Sequence, residues 1–157
     1  MSQRKTREIK IEPALKESLT YVDTSVWIAI MAHEASHLAL EKWLLQAQTL
    51  CCADWTQLEM ASALGIKYRR GEFSMRRAQQ ICDVFASMLK HQVREIPVVS
   101  MDIRKAVESC NHMDSGLRAG DALHLAVALR YQCSHFFSLD KNLNRNAELA
   151  GLKLIEI

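Results

Sequence analysis

Four acidic side chains, Asp23, Glu59, Asp121 and Asp140, each fall where an apolar run meets a stretch of helical periodicity. Asp23 closes Leu-Thr-Tyr-Val-Asp. Glu59 lies six residues past Thr-Leu-Cys-Cys-Ala, Asp121 opens Asp-Ala-Leu-His-Leu-Ala, and Asp140 follows His-Phe-Phe-Ser-Leu. Carboxylates gathered in one crevice repel one another and raise one another's pKa values. A hard divalent cation removes that conflict. Mg²⁺ and Mn²⁺ prefer oxygen ligands, and Mg²⁺ takes one or two carboxylates directly, leaving its other positions to water or phosphate oxygens. The chemistry implied is phosphodiester hydrolysis, in which the cation makes water a stronger nucleophile and offsets charge on the phosphate and the leaving oxygen. Singly, each acid also has a plain structural role: Asp23 as a helix cap, Glu59 as a capping-box partner of Thr56, Asp121 as a favourable charge at a helix start, and Asp140 as a turn residue.

The elements that would gather these acids are those of an α/β fold. From Leu19 onward short apolar runs alternate with longer segments of helical periodicity, the pattern of a parallel sheet covered by helices on both faces. Five strands are expected at Leu19 to Asp23, Thr49 to Ala53, Glu95 to Val99, His135 to Leu139 and Lys153 to Ile157. Thr24 and Ser25 would start a helix that breaks near Met31 to Ala35, and a second would run from Ser36 to Ala47. Further helices are expected from Thr56 to Arg70, ended by Gly71, from Ser74 onward, from a Ser100 cap, and from Asp121 to Gln132. In such sheets ligands bind beyond the carboxyl ends of the strands, where all four acids would lie.

At 157 residues the chain fits a single domain, with residues 1–18 as a charged N-terminal arm and 19–157 as the domain. The net charge of +2 argues against bulk coating of nucleic acid but leaves room for a local basic patch. Five cysteines, with no paired spacing except adjacent Cys51 and Cys52, make neither a disulfide framework nor a zinc knuckle, and they read as small core residues in a reducing cytoplasm. The start has no apolar leader segment, and the longest apolar stretch, Val26 to Ala32, is far short of the roughly 20 residues of a membrane span.

Four segments carry a family resemblance: Tyr21-Val22-Asp23-Thr24-Ser25-Val26-Trp27, Ala53 through Leu64 around Glu59, Leu117-Arg118-Ala119-Gly120-Asp121-Ala122-Leu123-His124-Leu125-Ala126, and Phe137-Ser138-Leu139-Asp140-Lys141-Asn142-Leu143. From Thr20 to the C-terminus the chain resembles PIN-domain ribonucleases, and more narrowly VapC-type toxins of bacterial toxin–antitoxin pairs. The resemblance implies a three-layer α/β/α sandwich and an endoribonuclease requiring Mg²⁺ or Mn²⁺, with Asp23, Glu59, Asp121 and Asp140 as its acids. It also implies a homodimer silenced by a VapB-type antitoxin. The arm before Thr20 departs from that pattern.

Around the acids, Ser25 is placed to orient Asp23 by a hydrogen bond or to serve as a plain cap, and Asn142 or Asn144 to help hold a metal-bound water or to act as turn residues. Arg118 and the cluster Lys67, Arg69, Arg70, Arg76 and Arg77 offer charge for RNA phosphates, or form a solvated basic face. His124, one turn beyond Asp121, reads as a core histidine. The alternative to a nuclease is a PIN-like module that binds RNA or protein without cutting.

Overall fold

The computed structural model describes residues 18–47 and 49–157. The arm expected over residues 1–18 therefore lies outside the described residues, except for Ser18. Five parallel strands form one sheet in the order β3-β2-β1-β4-β5: β1 (Leu19–Val22), β2 (Thr49–Ala53), β3 (Val93–Ile96), β4 (His135–Phe137) and β5 (Lys153–Leu154). Seven α-helices accompany them among the described residues: α1 (Thr24–Met31), α2 (His37–Leu44), α3 (Trp55–Arg69), α4 (Met75–His91), α5 (Ser100–Asn111), α6 (Ala119–Arg130) and α7 (Lys141–Leu149).

Neighbouring residues in a strand point to opposite faces, and the three central strands use this to build two cores. Val22, Cys52 and Phe137 pack with α1 to α4 in one cluster that includes Trp27, Leu40, Met60 and Phe85. Tyr21, Cys51 and Phe136 pack on the other face with Leu125, Val127 and Leu143 of α6 and α7. Two hydrophobic layers separated by one sheet make the expected α/β/α sandwich. α1 buries seven of its eight residues and α6 buries Ala122 to Ala128, which is how helices apolar on all sides behave. Each large side chain so buried contributes roughly 1.5–3 kcal/mol.

The chain adds β2 and β3 on one side of β1, then β4 and β5 on the other. The order therefore reverses between β1 and β4, and a crevice opens beyond their carboxyl ends.

Several boundaries differ from expectation. β3 spans Val93–Ile96 rather than Glu95 to Val99, because Pro97 has no N–H to continue a ladder; Val98 instead donates to the Asp54 carboxylate at 3.1 Å. β4 stops at Phe137 and β5 at Leu154. α2 is shorter than expected, and α6 begins two residues before Asp121 and ends at Arg130. Ser100 is the first residue of α5 rather than its cap, and the Asp102 carboxylate accepts the Val99 amide at 2.9 Å. Thr56 is buried within α3, which begins at Trp55, so the Thr56–Glu59 capping box does not form.

Candidate metal centre

Asp23 follows β1 and caps α1, with only 5% of its surface exposed. Its Oδ2 accepts the Ser25 hydroxyl at 2.5 Å, the Ser25 amide at 3.3 Å and the Ser138 hydroxyl at 2.8 Å. Ser25 thus makes the contact expected of it, and its hydroxyl also accepts the Leu139 amide at 3.0 Å. The Ser138 hydroxyl accepts the Asp140 amide at 3.0 Å. Two serines therefore tie the end of β1 to the loop after β4, across the point where strand order reverses.

Glu59 sits in the second turn of α3. Freed from a capping role, its Oε2 accepts the Thr24 hydroxyl and lies 2.6 Å from His124 Nε2. His124 is 1% exposed; it is packed in the core, as its apolar neighbours imply, and also borders the acids. Its Nδ1 lies 2.8 Å from the Tyr21 hydroxyl, while the Ala53 amide donates to that same oxygen at 3.1 Å. A neutral ring with Nδ1 accepting from Tyr21, or a cationic one donating to it, presents an Nε2–H to Glu59 in both states. That nitrogen is also 3.4 Å from Asp23 Oδ1. Burial disfavours the cation, but the Glu59 hydrogen bond and the charges of Asp23, Glu59 and Asp121 outweigh it and raise the His124 pKa. Burial likewise pushes Glu59 up, and the His124 and Thr24 hydrogen bonds bring it below its ordinary value.

Asp121 stands in the first turn of α6, with its pKa raised first by burial and then by Asp140 and Asp23, against the Arg118 amide that lowers it. Asp140 is exposed and caps α7; its Oδ1 accepts the amides of Asn142 and Leu143 at 2.8 and 2.9 Å.

All four acids line one crevice of about 690 Å³, joined by Thr24, Ser25, Glu34 and Arg118. The remaining residues singled out in the sequence are placed less uniformly. Lys67 ion-pairs with Glu34 at 3.0 Å and Glu72 at 3.2 Å, so it stands at the rim with its charge engaged. Arg69 and Arg70 lie at the far end of α3, roughly 15 Å along the axis from Glu59. Asn142 approaches Gly116, and Asn144 donates to the Ser138 carbonyl at 2.9 Å; neither lines the crevice. The Asn144 bond braces the loop that carries Asp140. Sequence reasoning passed over Thr24, Tyr21, Glu34 and Ser138, and left His124 out of the acid group.

One approach is unusually close. A Cβ on Gly120 would stand 2.5 Å from Glu59 Oε1 and 3.5 Å from Trp55 Nε1. Glycine at this position lets α6 and the Glu59 carboxylate come together.

The donor set suits a hard cation. Four carboxylates meet at one opening, and burial together with the proximity of two of them raises the pKa of Asp121. Asp23, Glu59 and His124 also bring one possible ligand atom each to within 4.8 Å of one another. The 2.6 Å approach of His124 Nε2 to a carboxylate oxygen is a hydrogen-bond geometry, which leaves the oxygens as the available ligands.

Residues 20–149 match the family model of the PIN domain. No curated protein matches the sequence. Among solved structures, the fold is similar to that of Mycobacterium tuberculosis VapC20, described as a sarcin-ricin loop cleaving toxin: 21% identity, 88% of this chain and 98% of that chain covered, TM-score 0.66. It is also similar to PAE2754 from Pyrobaculum aerophilum, at 23% identity over 86% and 82% of the two chains with a TM-score of 0.61. A chain of VapBC-1 from nontypeable Haemophilus influenzae shares 12% identity over 88% and 97% of the two chains, with a TM-score of 0.60.

Proposed function

This chain belongs to the PIN domain family, and from that premise we propose that it is a Mg²⁺- or Mn²⁺-dependent endoribonuclease, the toxin of a type II toxin–antitoxin pair. It would cut transfer or ribosomal RNA in the cytoplasm and so block translation. The observation that carries the reading is the crevice where Asp23, Glu59, Asp121 and Asp140 meet at the reversal of strand order. In this reading residues 19–157 form the catalytic domain and residues 1–18 a charged arm ahead of it.

Asp23, Glu59, Asp121 and Asp140 would hold the cation. Bound there, it supplies the charge that activates water and offsets the negative charge growing on the scissile phosphate. The protein's own part is placement. Ser25 and Ser138 fix the Asp23 carboxylate, while His124 and Thr24 fix that of Glu59. Arg118, exposed at the crevice, would take a neighbouring phosphate of the RNA. Lys67 would join it only by leaving Glu34.

A VapB-type antitoxin is a proposed partner, supported by the likeness to a chain of VapBC-1, and a second copy of this chain is proposed from the family resemblance. Among the described residues no helix is long and apolar enough to cross a membrane.

Purified protein should cleave RNA with Mg²⁺ or Mn²⁺ and stop when a chelator is added. Asp121→Asn should abolish cleavage with the fold retained by circular dichroism. Full activity in that variant would remove Asp121 from the metal site. Unchanged RNA binding in chelator, with no product under either metal, would replace the nuclease by a binding module.

A further inference from the structure

A second convergence of ligand atoms lies where α1 turns into α2, among residues that do not line the acidic crevice. His33 in the turn, His37 at the start of α2 and Glu41 one turn later bring one ligand atom each to within 4.8 Å of one another. His37 and Glu41 are four residues apart on a helix and therefore share a face. The His33 ring stands edge-on to His37, with centroids 4.9 Å apart.

Two further observations bear on this group. His37 Nδ1 lies 2.8 Å from the Glu34 carbonyl oxygen. A carbonyl only accepts, so Nδ1 carries the proton and Nε2 keeps its lone pair; a hydrogen bond of this kind orients ligand imidazoles in metal sites. His33 itself holds φ +54, a left-handed conformation uncommon for any residue with a side chain. Among the described residues, no ion pair or hydrogen bond engages the Glu41 carboxylate or the His33 ring.

We propose that His33, His37 and Glu41 form a site for a borderline transition-metal ion, Zn²⁺ in the first instance, that ties the α1–α2 turn to the first turns of α2. Two imidazoles and one carboxylate are a zinc-type ligand set, which hard Mg²⁺ does not favour. The crevice acids and this site would therefore select different ions. The three side chains are exposed or half-buried, and a tetrahedral site with ~2.0 Å bonds would bring their ligand atoms to separations of roughly 3.3 Å. A fourth position would be left to water or to a group from a partner. Arg77, which donates to the Met31 carbonyl at 3.2 Å, and Asp83 border a concavity that His33 and Glu41 also line. The site does not depend on the nuclease reading.

The test uses the full chain stripped of metal and then held in excess Mg²⁺, so that the acid crevice is occupied by its preferred ion. Zn²⁺ binding is followed by titration calorimetry and Co²⁺ binding by its visible ligand-field absorption. Wild type should bind one Zn²⁺ and develop the Co²⁺ bands. Glu41→Gln, His37→Ala and His33→Asn should each weaken Zn²⁺ by more than about tenfold, a loss already seen when only a ligand's orienting partner is removed. Asparagine at position 33 tolerates the left-handed backbone, so His33→Asn removes the ligand without disturbing the turn, as circular dichroism should confirm. Zn²⁺ should raise the Tm of wild type and not that of His33→Asn. Wild-type Zn²⁺ affinity in both His33→Asn and Glu41→Gln would overturn the site. So would loss of Zn²⁺ binding in Asp121→Asn, which would place the ion in the acid crevice instead.

Discussion

Gly120→Ala is a one-carbon change that tests whether the position of the Glu59 carboxylate matters to the chemistry. The new Cβ would meet Glu59 Oε1 at 2.5 Å and Glu59 Cδ at 3.7 Å. Restoring an ordinary contact near 3.5 Å requires the carboxylate to retreat by about 1 Å. Two opposing effects bear on stability. Alanine in a helix is worth about 0.5–1 kcal/mol over glycine. Against it stands partial loss of the His124 and Thr24 hydrogen bonds; bonds to a charged group are worth about 1.5–3 kcal/mol in full, but less here because the Glu59 side chain is 29% exposed. The two nearly cancel, so the unfolding midpoint should move little. Activity should not cancel, since a displacement of about 1 Å at a reacting centre costs on the order of 10²-fold. Initial rates of RNA cleavage at saturating Mg²⁺, taken beside a urea unfolding curve, separate the two quantities. Wild-type cleavage by a folded Gly120→Ala protein would refute the claim that α6 is packed against Glu59 to set that carboxylate.

Three other perturbations probe the same network and its support. In metal-free protein the raised pKa of Asp121 means that its protonated form favours folding: this contribution is fully present below the unfolded-state pKa and is lost as pH rises through the folded-state pKa. Asp121→Asn should therefore be more stable than wild type in chelator at neutral pH, with the gap closing as pH falls through the raised Asp121 value; a gap independent of pH would contradict this. Tyr21→Phe leaves the buried Ala53 amide and His124 Nδ1 without their shared partner, and should cost about 1–3 kcal/mol in denaturant unfolding. Asp102→Ala removes the acceptor of Arg130 Nε at 2.6 Å and Nη2 at 2.9 Å and of the Val99 amide. Because Arg130 is 24% exposed and can rehydrate, the expected loss is about 1.5–3 kcal/mol rather than that of a fully buried pair, read from the unfolding midpoint.

What was legible in the sequence was what local periodicity encodes. Adjacent apolar residues such as Tyr21-Val22 and Phe136-Phe137 mark strands buried on both faces, and the acids at their ends follow from the topology of parallel sheets. The third strand was misplaced because Ile-Pro-Val-Val is as apolar as a strand, while the decisive property is the missing N–H of Pro97. Glu59 belongs to the acid group, but its spacing from Thr56 also matches a capping box, and nothing local reveals that its hydrogen-bond partners lie on α1 and α6. His124 was half read: its apolar neighbours do mark it as buried, but Tyr21 lies 103 positions away. The hydroxyl of Ser138 likewise finds Asp23 across 115 positions. The 33-37-41 spacing is visible in the sequence, yet it straddles the break between two helices, and only the left-handed turn at His33 makes it a cluster.

The four acids are not equivalent supports, and an amide replacement distinguishes them. Asp23 Oδ2 accepts two serine hydroxyls and an amide, and its Oδ1 faces the His124 Nε2 that also donates to Glu59. An asparagine there must aim its NH₂ at donors in either flip, leaving buried groups unsatisfied at about 1–3 kcal/mol. Asp140 is exposed and uses one oxygen, which caps α7. Asparagine caps a helix as well as aspartate does. Asp23→Asn should therefore lose both cleavage and stability, whereas Asp140→Asn should lose cleavage with its unfolding midpoint unchanged. Paired urea curves and cleavage rates read both quantities. If the two variants unfold at the same midpoint, the hydrogen bonds drawn around Asp23 do not hold it, and the division into a fixed acid at the floor and an adaptable one at the rim fails with them.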